Sequence, residues 1–193
     1  MARFRRESTQ SRRSGNVEPR TRLLVVCGGE STEPAYLTGL LRHRRAGHVT
    51  VEIKPKGLAP SGLVTHTNKL LRRYPGEFDE AWCVTDVDNF RDVPDALRAA
   101  APDVRLAISN PCFELWLLLH FEDMPPHCTD YTEAARRLRR HLPKYDKSRL
   151  DFSAYVAGVD AAVRRSVRPV DGPLDLTKPF TQVGLLAQRI IGR

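Results

Sequence analysis

Two aspartates separated by one residue, in Asp86-Val87-Asp88-Asn89, end the apolar run Ala81-Trp82-Cys83-Val84-Thr85. Residues two apart in extended chain point to the same side, so both carboxylates can face one point. At that separation they repel unless a cation neutralises them or one takes a proton. A hard cation such as Mg²⁺ suits them, because it binds through one or two carboxylates, waters and substrate phosphates. The competing reading is a turn, with Asp88 and Asn89 making Asx-type hydrogen bonds. Spacing alone favours the turn.

Two other polar clusters also follow apolar runs. Gly28-Gly29-Glu30-Ser31-Thr32-Glu33 follows Leu23-Leu24-Val25-Val26-Cys27, and Ser109-Asn110-Pro111-Cys112-Phe113-Glu114 follows residues 104–108. Glu30 or Glu33 could complete an acidic set, although a glutamate in a first helical turn also simply complements the helix dipole. The double glycine allows close backbone approach, but no Lys-Ser/Thr follows it, so the cluster is not a nucleotide-binding P-loop. Glu114 lies in a stretch that is otherwise core-like, where a carboxylate must be paired, protonated or near the surface. Asn110 as N-cap and Pro111 at the first helical position would set Glu114 one turn in. His120, six residues on, reads better as a core histidine with a hydrogen-bond partner than as a site residue.

The elements that must position these clusters alternate. Continuous apolar runs at 23–27 and 81–85 read as buried strands, and 49–53 and 104–108 as further strands. Helical spacing appears after Ser31 or Thr32 with Pro34 in the first turn, over 61–74, near 94–100 and over 113–121. Later helices are expected over 132–142, about 152–167 and about 180–191. Alternation of this kind predicts an α/β fold with a mainly parallel sheet. In such sheets ligands gather at the carboxyl ends of the strands, where all three clusters fall.

The chain has 193 residues and a net charge of +8. Its first 22 residues hold seven arginines against two glutamates, which is +5 of the total. Residues 1–21 therefore read as a disordered basic arm, able to attract phosphates without sequence preference or to act as a solubilising tail. Residues 22–193 form a single domain, with a helical extension from about 130. A second basic run contains Arg136, Arg137, Arg139, Arg140, Lys144, Lys147 and Arg149 against Asp146 alone. It is either a solvated helix face or the footprint of a nucleic acid, with Tyr145 placed to stack on a base. Cys27, Cys83, Cys112 and Cys128 form no CxxC pair and read as buried thiols rather than a zinc or disulfide framework. No apolar run is long enough to span a bilayer and the Arg-rich start lacks the apolar core of a secretory signal, so a soluble cytoplasmic protein is expected.

Three segments, Val26 through Tyr36, Asp86-Val87-Asp88-Asn89 and Ser109 through Phe121, resemble in residues, order and spacing the RloB-like family. That family is associated with bacterial phage defence and abortive infection and is related to the Toprim fold. The resemblance covers roughly residues 22–150, and its last segment is the most specific. It implies a Toprim-like core in which a glutamate after the first strand and a later DxD bind Mg²⁺ (or Mn²⁺), and which cuts or rejoins nucleic acid. It also implies a defence effector nuclease, often with an ATPase partner. Asp86 and Asp88 would hold the metal, with Glu30 as a further ligand or Glu30 or Glu33 as general base. Asn110, Glu114 and His120 would support the site, while Arg136, Arg137, Arg140, Lys144 and Lys147 would clamp DNA or RNA. One position departs from the pattern: Gly28 stands where many relatives carry the glutamate. The alternative is therefore a non-catalytic nucleic-acid-binding or partner-docking subunit with a degenerate site. A phosphatase or nucleotidyl hydrolase is a third reading, and a homo-oligomer is compatible with all of them.

Overall fold

The computed structural model describes residues 20–44, 49–87, 90–166 and 175–192. Among these residues five strands form one sheet in the order β2-β1-β3-β4-β5, with β1 Thr21–Cys27, β2 Val49–Pro55, β3 Glu80–Asp86, β4 Val104–Asn110 and β5 Phe180–Thr181. The first four run parallel, and β5 pairs antiparallel with the end of β4. Among the described residues seven α-helices accompany them: α1 Thr32–Arg44, α2 Pro60–Arg73, α3 Val93–Ala99, α4 Phe113–Leu118, α5 Tyr131–His141, α6 Val159–Ser166 and α7 Val183–Ile191. The architecture is the expected α/β class, with its last four helices at the C-terminal end.

Alternation along β1 divides the core between two faces. Leu23, Val25 and Cys27 pack with Tyr36, Leu37 and Leu40 of α1 and with the helices from α4 onward. Leu24 and Val26 face the other way, onto Leu63 and Val64 of α2 and Ala96 of α3. The chain steps outward from β1 to β2 through α1, then back across β1 to β3 through α2. Right-handed crossovers in opposite directions demand opposite faces, which is the arrangement observed. The reversal lies between β1 and β3, where the connections leaving their carboxyl ends diverge and open a crevice.

Four expectations are revised. The apolar stretch from Phe113 is fully buried, but its helix ends at Leu118, after which His120 N–H and Phe121 N–H donate three residues back to Leu117 and Leu118. The helix expected over 152–167 divides into a 3₁₀ segment, Phe152–Gly158, and α6. That expected over 180–191 begins instead as β5, a two-residue strand too short to show any period, and α7 follows. Thr21, expected in the basic arm, opens β1; the arm's residues 1–19 lie outside the described residues. Among the described residues, no helix is long and apolar enough to cross a membrane.

Candidate functional site

The carboxyl ends of β1, β3 and β4 meet the N-termini of α1 and α4 around a cavity of about 310 Å³. Glu30, Glu33, Asp86 and Glu114 line it, with Lys147 and Ser148 on the wall contributed by the loop after α5. Gly28 N–H donates to Val84 O at 2.8 Å and Val87 N–H to Ser109 O at 2.8 Å, so the three strand ends are stitched into one edge. This edge brings the three polar clusters together.

Glu33 is the second residue of α1 and only 6% exposed. Its carboxylate folds back against Gly29, where a β-carbon would overlap the carboxylate oxygens, so glycine is required for this pose. Burial pushes its proton affinity up and the charge of Glu114 adds to this, while backbone hydrogen bonds at Glu33 and Gly29 and the Lys147 ammonium pull it back. Glu33 and Asp86 also line a smaller cavity, about 260 Å³, on the α2 side. The exposed Glu30 lines the first cavity too, but its carboxylate lies toward Gly57, whose φ of +57° suits glycine. Of the two glutamates offered in place of one at Gly28, Glu33 is the one buried beside Asp86.

Glu114 is 5% exposed and accepts a hydrogen bond from Tyr145 Oη at 2.8 Å. The buried carboxylate is therefore paired, and Tyr145, largely buried itself, is tied to it through its hydroxyl. Thirty-one residues separate the pair, and no local sequence pattern links them. Cys112 lines the same cavity, and burial, Glu114 and Asp86 all disfavour its thiolate. The cavity consequently presents carboxylate oxygens rather than sulfur, a donor set suited to a hard cation. Among the described residues, no group of three or more His, Cys, Asp or Glu side chains is arranged to hold a metal ion, and Asp88 lies outside those residues.

Asn110 does not cap α4. It ends β4, its side-chain amide donates to Leu176 O at 2.9 Å and Lys178 O at 2.8 Å, and Cys112 takes the N-cap position. The amide is committed to the segment that leads into β5, which is why it is unavailable to the helix. His120 stands behind the site and is 5% exposed. Its Nδ1 faces Trp116 O and Leu117 O at 3.1 and 3.2 Å, so Nδ1 carries the proton and Nε2 accepts from Tyr36 Oη at 2.9 Å. Burial lowers its pKa to about 4, in keeping with a neutral core histidine.

The basic residues divide by position. Lys147 is tied to the site, because its carbonyl accepts from Thr32 Oγ1 at 2.9 Å and its ammonium lies 4.8 Å from the Tyr131 ring centroid. Arg137 is committed to Glu122, with Nε donating at 2.8 Å. Arg136 and Arg140 are exposed on α5, and Lys144 borders a separate cavity. The Thr32 contact and the role of Gly29 went unseen in the sequence, although the adjacent glycines were a signal for the latter.

No curated protein and no solved structure matches the chain. The model of the RloB-like protein family matches residues 23–190, most of the chain and all of the sheet except the first two residues of β1. This chain belongs to the RloB-like protein family.

Proposed function

We propose that the chain is a Mg²⁺- or Mn²⁺-dependent nuclease acting on DNA or RNA in anti-phage defence, working with an ATPase partner from a Toprim-like core. The observation that carries this reading is the convergence of Glu33, Asp86 and Glu114 on one cavity with Lys147 and Ser148 on its wall. Asp86, Asp88 and Glu33 would hold the cation. A bound divalent ion supplies charge neutralisation at phosphate and a more acidic water. The chain's own residues do the rest. The Lys147 ammonium receives phosphate oxygens, and Glu33, whose proton affinity burial raises, faces the same cavity. Glu114, fixed by Tyr145, positions the wall opposite α1.

The test is cleavage of labelled single-stranded and duplex DNA and RNA by the full chain with Mg²⁺ or Mn²⁺, with and without the ATPase partner. Asp86→Ala is expected to reduce cleavage at least a hundred-fold while the circular dichroism spectrum is kept. Unchanged cleavage by Asp86→Ala sinks the assignment. A second reading, a binding or docking subunit without catalysis, is favoured by Gly28, which puts a hydrogen where the family pattern has a carboxylate. Salt-sensitive binding without cleavage under any divalent ion would select it.

A further inference from the structure

A second cavity of about 360 Å³ lies on the other side of the loop that carries Lys147 and Ser148. Leu142, Tyr145, Leu150 and Tyr155 give it apolar walls, and Lys144 and Arg149 stand at its rim. The charge of Arg149 acts on the Asp146 carboxylate and helps to lower its pKa. Asp146 and Asp151 line it as well: Asp146 accepts from Ser148 N–H and Oγ–H at 2.9 and 2.7 Å and Asp151 from Ser153 N–H at 2.9 Å, bonds that hold both carboxylates in their charged form. The rim therefore carries Lys144 and Arg149 beside two serine-held carboxylates, around an apolar interior.

We propose that this cavity is a subsite for one unstacked base of a single-stranded nucleic acid, whose neighbouring phosphates lie along Lys144, Lys147 and Arg149. The proposal rests on the nucleic-acid reading above and adds where the strand binds. Apolar walls accept the faces of a flat heteroaromatic, and flanking cations take the phosphates on either side. The volume falls at the small end of the roughly 300–1,000 Å³ typical of small-ligand sites, in keeping with a single base rather than a folded partner. The geometry supplies the link to the acidic cavity. One loop separates the two, with Lys147 and Ser148 facing one and Lys144, Tyr145 and Arg149 facing the other. Tyr145 lines the apolar cavity while its hydroxyl holds Glu114 on the acidic one. A strand crossing this loop places a phosphate at the carboxylates when its neighbouring base is seated. A base inside a duplex is stacked and paired and cannot enter, so the site selects single strands.

The test is binding of labelled single strands to the full chain in EDTA, measured by fluorescence anisotropy, with a single abasic site moved along the strand and a matched duplex as control. Wild type is expected to lose about five-fold in affinity or more when the abasic site reaches one position, and to show no such loss elsewhere. Ala154→Leu, which narrows the cavity from an exposed position, should bind the intact strand as weakly as wild type binds that abasic one, with duplex binding unchanged. Identical binding of every strand by wild type and Ala154→Leu overturns the subsite, and is the result expected if an apolar peptide is the true occupant. If Ala154→Leu does not fold, the abasic series on wild type decides alone, and a flat series overturns the proposal. Wild type that binds no oligonucleotide in EDTA overturns this subsite, whereas only absent cleavage with Mg²⁺ or Mn²⁺ overturns the nuclease reading. A position-specific abasic loss without cleavage in Mg²⁺ or Mn²⁺ supports the subsite and removes the nuclease.

Discussion

At Glu33 burial and local charge pull the carboxylate in opposite directions. Desolvation and Glu114 favour the protonated form, whereas two backbone hydrogen bonds and Lys147 favour the charged one, and the net effect raises its pKa above the ordinary glutamate value. A bound divalent cation would reverse that balance. Glu33→Gln keeps the shape and removes the cost of burying charge, so it should raise the melting temperature at pH 7–8 in EDTA. An effect of about 1 kcal/mol corresponds to roughly 2–4 °C for a chain of this size. The same variant should lose most of the thermal stabilisation that Mg²⁺ or Mn²⁺ confers on wild type. Thermal melts with and without the ion check both parts, and an equal metal-induced shift in the two proteins removes Glu33 from the ligand set.

At the scale of elements, the site depends on close packing behind it. The 3₁₀ segment Phe152–Gly158 comes so near the end of the α4 region that a β-carbon at Gly158 would overlap the carbonyl and β-carbon of His120. Backbone cannot move aside as a flexible side-chain tip can. Gly158→Ala should therefore destabilise the protein by about 1–3 kcal/mol, the usual cost of overpacking a core. Urea titration followed by circular dichroism measures it, and a midpoint matching wild type would show that the segment has room to shift. Helix α5 shows the opposite economy, since its start was readable from local chemistry. Asp130 accepts from Glu133 N–H at 2.8 Å while Glu133 reaches back to Thr129 N–H at 3.2 Å. Such a reciprocal cap needs no tertiary partner.

For the whole molecule, acid sensitivity follows from His120. Its pKa falls from 6.5 to about 4 on folding, so the unfolded chain takes up a proton at a pH where the folded chain does not. Its contribution is fully present above pH 6.5 and is lost as the pH falls toward 4, on the order of 3 kcal/mol. The wild-type melting temperature should drop more steeply over that window than that of His120→Gln; parallel slopes would contradict the assignment. The placement of strands β1 to β4 and the meeting of three polar clusters at one sheet edge were legible in the sequence, because strands buried on both faces must be continuous apolar runs and parallel sheets gather their loops at one end. The two-residue strand β5 was not, because it has no period and its partners Ser109 and Asn110 lie about seventy residues away. The same reason hid the commitment of Asn110 to Leu176 and Lys178, and the use of the Tyr145 hydroxyl to hold Glu114. The amino-acid order by itself determined the fold class and the chemical types available at the edge, since both follow from local spacing. Only the tertiary structure decided between Glu30 and Glu33 as the buried neighbour of Asp86, because backbone clearance at Gly29 and Gly57, a property of chain placement in space, selects the one that fits.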